Sequence, residues 1–293
     1  MYVVLGANGR AGGQTAHALL ELGKPIRVVL RRPEQAESWR NLGADVAIGS
    51  IEDAPGLAYA LKGASGAFVL SPPPESGDPY RRAEEIGRAL AGAVRQAGLP
   101  KVVALSSIGA QHETGTGVIA MLNILERHLD RVAPSTTFLR PGYFVEAWGE
   151  VAQAAITDSV LPSFLEPSQK IPMVSTTDVG RTAARLLCDD FRGQRIVELS
   201  GPQDWCANEV AKAFGTVLGR RVDTAFVPPE ARLAVLAEAG VPPEVADALL
   251  GMYDGIAKGT VAYDDGNELR SGSVQLTDAV ARIVRSMSEP AGV

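Results

Sequence analysis

Gly6, Gly9 and Gly12 fall in the stretch Gly6-Ala7-Asn8-Gly9-Arg10-Ala11-Gly12-Gly13, between an apolar run at Tyr2–Leu5 and a segment where Ala16, Leu19 and Leu20 repeat at helical spacing. A glycine-spaced turn joining a first strand to a first helix admits few folds. Gly6 allows the turn off the strand, Gly9 lets the backbone approach a bound group, and Gly12 lets the helix pack close to the sheet. The pattern G-x-x-G-x-x-G is one residue wider than the G-x-G-x-x-G dinucleotide fingerprint, and the physics is shared. Free N–H groups and the positive dipole end at a helix start suit a pyrophosphate. The competing reading is a glycine-rich turn with no ligand.

Beyond the loop, short β-rich runs at Tyr2–Leu5, Ile26–Leu30, Val46–Ile48, Ala67–Leu70, Val102–Leu105 and Thr136–Leu139 alternate with longer segments of helical spacing. In Tyr80–Ala97, Ile86, Leu90 and Val94 recur every four residues, with arginines and glutamates opposite. This alternation predicts βαβ crossovers and an α/β fold, a Rossmann-type doubly wound parallel sheet. Runs apolar throughout are those of strands covered by helices on both faces. Pro141-Gly142 breaks the sixth run, and Gly149–Lys170 carries few strand signals. Further strands are predicted at Ile171–Val174, Arg195–Leu199 and Val222–Val227. Helices are predicted from Ser175 through Leu187 and over Glu209–Leu218, Pro229–Ala239 and Pro242–Ala257. The expected layout is a nucleotide-binding core over 1–155, rejoined at about 172–200, and a smaller, mainly helical C-terminal lobe over 156–293, mostly from 201–275. A ligand cleft is expected between them, and a frayed tail at Ser288–Val293.

At 293 residues, 46% apolar and 21% charged, the chain has room for a sizeable core. Its 34 Asp+Glu against 28 Lys+Arg, net −6, argue against a general binder of nucleic acid or membrane surfaces, which need a basic field. The two cysteines, Cys188 and Cys206, fit a reducing compartment rather than a disulfide framework. No apolar run approaches the ~20 residues of a membrane span. An apolar run starting at Tyr2 leaves no room for a signal peptide, so a cytoplasmic protein is expected.

The second strand bears on which dinucleotide is bound. About twenty residues past the loop, an NAD binder places an Asp or Glu that accepts from the ribose 2′-hydroxyl. Here the strand ends Leu30-Arg31-Arg32-Pro33, and the first acid is Glu34. Guanidinium groups match a 2′-phosphate in charge and donor geometry, which favours NADP(H) over NAD(H). Solvated surface charges are the alternative. The expected cofactor set is Gly6, Asn8, Gly9, Arg10, Ala11, Gly12, Arg31 and Arg32, joined by Leu70, Ser71, Ser106, Pro141 and Tyr143 near the ends of later strands. Asn8 and Arg10 would add a hydrogen bond and a charge to the phosphates.

Many reductases on such a core use Tyr-x-x-x-Lys for proton transfer. No tyrosine of this chain has a lysine four residues later, and none of the lysines falls between Lys101 and Lys170. That counts against epimerases and ordinary alcohol dehydrogenases. Hydride transfer to a quinone-like or conjugated acceptor stays open, because its proton can come from water. No catalytic residue is assigned. His17, His112 and His128 lack metal-ligand spacing and no Cys-x-x-Cys occurs, so no metal is expected. His17 is read as structural, and His128 as lying on an exposed helix face beside Glu126 and Arg127. His112 falls in a loop beyond the fifth strand, with Ser106, Ser107 and Gln111, where open α/β sheets bind ligands. Tyr143 and Phe144, with Trp148 at helical spacing, place aromatics where a flat acceptor would meet the cofactor. Hydrophobic glue between core and lobe is the competing reading. The acceptor-binding candidates are His112, Tyr143, Phe144 and Trp148.

The glycine loop, the strand-end Arg31, Leu105-Ser106-Ser107 and Leu139-Arg140-Pro141-Gly142-Tyr143-Phe144 together resemble the NmrA-like group of atypical short-chain dehydrogenase/reductases. Thr177-Asp178-Val179-Gly180, Glu198-Leu199-Ser200-Gly201-Pro202 and Glu209–Phe214 extend the likeness, which runs to about residue 260. The resemblance implies a Rossmann core, a small C-terminal lobe and NADP(H) binding. Within the family some members reduce quinones or dyes, and others bind the dinucleotide without turnover as redox-sensing regulators. Many keep a lysine a few residues before a glutamate matching Glu126; here Leu122 and Asn123 stand there. Two functions are expected from this. One is an NADP(H)-dependent oxidoreductase passing hydride to a small flat acceptor such as a quinone; the other is a non-catalytic NADP-binding sensor with a protein partner. The oligomeric state stays open.

Overall fold

The computed structural model describes residues 1–288. Residues 1–141 run β1 (Tyr2–Leu5), α1 (Arg10–Glu21), β2 (Ile26–Leu30), α2 (Ala36–Asn41), β3 (Asp45–Ile48), α3 (Ala54–Leu61), β4 (Gly66–Val69), α4 (Pro79–Ala97), β5 (Lys101–Leu105), α5 (Ala120–Leu129) and β6 (Ser135–Pro141). Then follow β7 (Tyr143–Phe144), α6 (Ala152–Thr157), β8 (Val160–Ser163), β9 (Ile171–Val174), α7 (Thr176–Cys188), β10 (Gly193–Ser200) and β11 (Asp204–Trp205). The chain ends with α8 (Ala207–Leu218), β12 (Asp223–Phe226), α9 (Pro229–Glu238), α10 (Pro243–Ala257), β13 (Glu268–Ser271) and α11 (Leu276–Ser288). Ser288 thus closes a helix, and the rest of the tail expected to fray lies outside the described residues.

Eight strands form one sheet in the order β3-β2-β1-β4-β5-β6-β10-β13, with every neighbouring pair parallel. Helices α1 and α7 pack together on one face, and α3, α4 and α5 cover the other. Val3, Val4, Phe68, Val102 and Val103 are therefore wholly buried, which is why those runs are apolar at consecutive positions. Helix α4 illustrates the local logic. Asp78 accepts from the N–H groups of Tyr80 and Arg81, Pro79 opens the first turn, and Gly98 closes the helix at φ +61°. Its Ile86, Leu90 and Val94 are buried against the sheet.

Where the chain departs from the sequence expectation, the reason is local. β8 lies in the stretch that carries few strand signals, since Pro162 and Ser163 interrupt it; it pairs parallel with β12. β13 reads Glu268-Leu269-Arg270-Ser271 and is an edge strand paired with β10 alone, so it needs no apolar run. α11, which the periodicity reading did not assign, buries Leu276, Ala279, Val280 and Ile283. It packs on α8 and on the turn 145–150. A three-stranded sheet, β11-β9-β7, and the β12–β8 pair accompany the C-terminal helices. Among the described residues no helix is long and apolar enough to cross a membrane.

Candidate functional site

In the large sheet the strand order reverses between β1 and β4, and such a switch point opens a crevice at the strands' carboxyl ends. The glycine loop occupies that edge. Gly6 has φ +65°, a left-handed conformation that a side chain would strain, and the Gly9 N–H donates to its carbonyl at 2.8 Å. A Cβ on Gly12 would lie 2.2 Å from the Gly6 carbonyl oxygen, so only glycine brings α1 this close to β1. Gly9 precedes α1 with no side-chain cap, and no acid lies in the helix's first turn. The first-turn N–H groups and the positive dipole end therefore face the crevice, as an anion site requires. Leu70, just past β4, packs over Gly6, and Ser71 follows it. Ala11 is buried in the helix.

The polar side chains expected at the phosphates have protein partners. Asn8 donates to Gln35 at 2.6 Å and accepts from the Trp39 indole at 2.7 Å, tying the loop to α2. Both polar ends of Asn8 are thus engaged within the protein. Arg10 bonds Glu150 at 3.2 Å, across to the turn 145–150. Arg31 is 64% exposed, with the Glu75 carboxylate 3.9 Å away, and Arg32 is exposed.

Beyond β5 and β6 lies a buried polar network. Arg140 is 3% exposed and grips Glu126 with two bonds, Nε to Oε1 at 2.8 Å and Nη2 to Oε2 at 2.6 Å. The same carboxylate accepts from the Ser106 hydroxyl, while Arg140 also reaches Gln111 at 3.4 Å. The Ser106 proton is committed to Glu126, leaving that hydroxyl its acceptor lone pairs for any ligand. Glu126 is buried rather than on an exposed face. His128 is half-buried, 2.6 Å from Glu84 and laid over Gly87 of α4. His17 is exposed, with its ring 5.1 Å from Trp39. His112 is exposed on its loop, and among the described residues its ring makes no hydrogen bond.

The aromatic candidates separate. Side chains of a strand alternate faces, and β7 is a strand. Tyr143 packs with the C-terminal helices, whereas Phe144 turns into the core beneath α1 and α7. Trp148, at 4% exposure, is core of the C-terminal region, so it is glue rather than a wall. Pro141 is buried at the end of β6. Tyr143 meets Tyr253, and through it Phe164, neither of which the sequence reading singled out as a site residue. Its hydroxyl lies 3.4 Å from that of Tyr253 on α10, and the Tyr253 ring packs edge-on to Phe164 at 5.2 Å. Burial, with Tyr253 and Glu150 adding to it, holds the Tyr143 hydroxyl protonated well above the usual phenol range; burial raises Tyr253 too. Only a tyrosine on an amphipathic helix marked Tyr253 in the sequence.

The later family motifs are joints. Asp178 accepts from the N–H groups of Ser273 and Val274 at 2.9 Å, pinning the chain after β13 to α7. Gly180 admits α1, since a Cβ there would sit 2.3 Å from the Gln14 carbonyl carbon. Glu198 accepts from the Asp264 N–H at 3.0 Å, and Glu209 closes a capping box with Cys206. Asn123 donates to the Ala110 carbonyl at 2.8 Å.

Parallel sheet, switch-point crevice and glycine turn define a Rossmann-type α/β protein. The NmrA-like family model matches residues 2–282, and the chain belongs to the NmrA-like family. It is 24% identical over 256 residues to an NAD(P)H azoreductase of Xenophilus azovorans, covering 86% of each chain. Among solved structures it matches the NADPH complex of an Escherichia coli quinone oxidoreductase with TM-score 0.80 and 24% identity, over 97% of this chain and 100% of that one. It matches the NADP(H) complex of a Citrobacter sp. triphenylmethane reductase with TM-score 0.81 and 22% identity, again over 97% and 100%.

Proposed function

We propose that the protein is an NADP(H)-dependent oxidoreductase that passes a hydride to a flat conjugated acceptor such as a quinone. The single observation carrying this reading is the glycine turn that opens an uncapped helix start onto the crevice. Relatives that use NAD(P)H on azo, quinone and triphenylmethane compounds support it. The residues fit a dinucleotide. Gly12 keeps clear the close approach of α1 to the sheet, Arg10 lies at the helix start, and Arg31 and Arg32 lie past β2, where a 2′-phosphate would sit.

When bound, the cofactor supplies the hydride; a quinone takes that hydride and one proton from water to become the hydroquinone. The protein's part is orientation, which supplies most of the rate in such a transfer. Tyr143 offers a ring to stack on the acceptor and a neutral hydroxyl to donate to its oxygen. Tyr253 holds that hydroxyl in place. Following NADPH consumption against a panel of quinones and dyes tests the reading, and no turnover above blank on any acceptor refutes it.

A second reading is favoured by the residues on α5. Leu122 and Asn123 stand where the family resemblance leads one to expect a lysine, and Asn123 is spent on a backbone carbonyl. A dinucleotide-binding sensor needs no proton donor, and its protein partner would be captured differently with NADP+ and NADPH. Capture indifferent to the nucleotide removes it.

A further inference from the structure

Arg232, in the first turn of α9, is 6% exposed, yet its charge is barely matched. Nε donates to the Val227 carbonyl at 3.2 Å, and the Asp254 carboxylate stands 3.9 Å from Nη1, beyond hydrogen-bond reach. Among the described residues neither terminal nitrogen has a hydrogen-bond acceptor, and neither is sealed from open space. The guanidinium lies 5.7 Å from the ring centres of Phe164 and Phe226. Phe164 packs on Tyr253, and Tyr253 meets Tyr143. Aromatic rings and a buried guanidinium with free terminal donors thus adjoin one another on the Tyr143–Tyr253 side proposed above for the acceptor. With its nearest carboxylate beyond hydrogen-bond reach, the guanidinium keeps its terminal donors free for a ligand, and two oxygens of a carboxylate or sulfonate accept from them in parallel.

We infer that Arg232 is a specificity-determining residue that binds an anionic oxyacid group, a sulfonate or carboxylate, carried on a flat aromatic acceptor. This rests on the reading above only in taking the Tyr143–Tyr253 side as the acceptor's. The rings of Tyr143, Tyr253 and Phe164 receive the ring system, and the terminal nitrogens of Arg232 receive the anion. Asp254, 58% exposed, competes weakly for the same guanidinium.

Binding is measured by calorimetry on the full-length protein, with and without NADP+, for anthraquinone-2-sulfonate, anthraquinone-2-carboxylate and the neutral 2-hydroxymethyl-anthraquinone. Charge-assisted hydrogen bonds predict that at least one anion binds roughly tenfold or more tighter than the neutral ring. Comparing the two anions tells which oxyacid is preferred. Arg232→Gln brings the anion-to-neutral ratio close to one, Arg232→Lys retains part of it, and Asp254→Asn enlarges it. Equal affinities in the wild type, or a ratio untouched by Arg232→Gln, overturn the inference. Should Arg232→Gln not fold, Asp254→Asn decides, and a ratio it leaves unchanged is equally fatal. Turnover is read separately with a neutral quinone and NADPH. Its absence removes the reductase reading and leaves the anion preference to stand or fall on the binding data.

Discussion

Replacing Glu126 by alanine should destabilise the protein more than almost any other exchange of one polar side chain. The carboxylate takes two short bonds from Arg140 and one from Ser106, all of it buried. Removing it leaves a guanidinium at 3% exposure with one long bond to Gln111, and a buried hydroxyl with its acceptor gone. Breaking a buried pair on one side costs about 3–5 kcal/mol, because the surviving charge is stranded away from water. For a chain of this size that is a fall in melting temperature of roughly 5–8 °C. The pair as a unit is a different matter, since its attraction is largely spent on its own desolvation. Glu126→Leu combined with Arg140→Met should therefore melt within about 1–2 kcal/mol of the wild type, well above either single variant. Calorimetric melting of the wild type, Glu126→Ala, Glu126→Leu, Arg140→Met and the double variant checks this. A Glu126→Ala protein as stable as wild type, or a double variant no better than the singles, would refute the burial argument.

Gly180→Ala forces a methyl to within 2.3 Å of the Gln14 backbone and should separate α7 from α1 at a cost of about 1–3 kcal/mol; an unshifted melting curve contradicts the packing. At Asp189, burial pushes the carboxyl upward, but Arg195 and Lys101 outweigh it and hold the group below its ordinary value. The stability it contributes is present above the unfolded carboxyl's pKa of about 3.9 and is lost as the pH falls through the lower folded value. Asp189→Asn should therefore be less stable than wild type at neutral pH, with the gap closing in acid; a gap that widens on acidification has the wrong sign. Arg31→Ala should weaken NADPH much more than NADH, as measured by fluorescence titration, and equal losses mean that Arg31 does not read the 2′-phosphate.

The fold was legible where physics leaves a local trace. β1, β2, β4 and β5 are covered on both faces, so each is an apolar run, and Ser175 marks α7 because its side chain caps that helix at Thr177. β13 left no trace, since an edge strand can be polar, and β8 was hidden by its own proline. The glycine roles at Gly6 and Gly12 were readable because a turn and a close contact each demand that residue type. The proposed acceptor side and the buried network beside it were not readable. Glu126 and Arg140 sit on different elements, and no periodicity says that one faces the other. Phe144 was paired with Tyr143 by adjacency, although alternation along β7 sends them to opposite sides. Tyr253, Phe164 and Arg232 come from three separate segments that only the folded C-terminal region brings together.

The central claim is that the crevice at the glycine turn holds a phosphorylated nicotinamide dinucleotide. Isothermal titration of the purified protein with NADPH and, separately, NADH tests it most directly. The account predicts one NADPH per chain, bound more tightly than NADH. Heats of dilution alone for both nucleotides would contradict it.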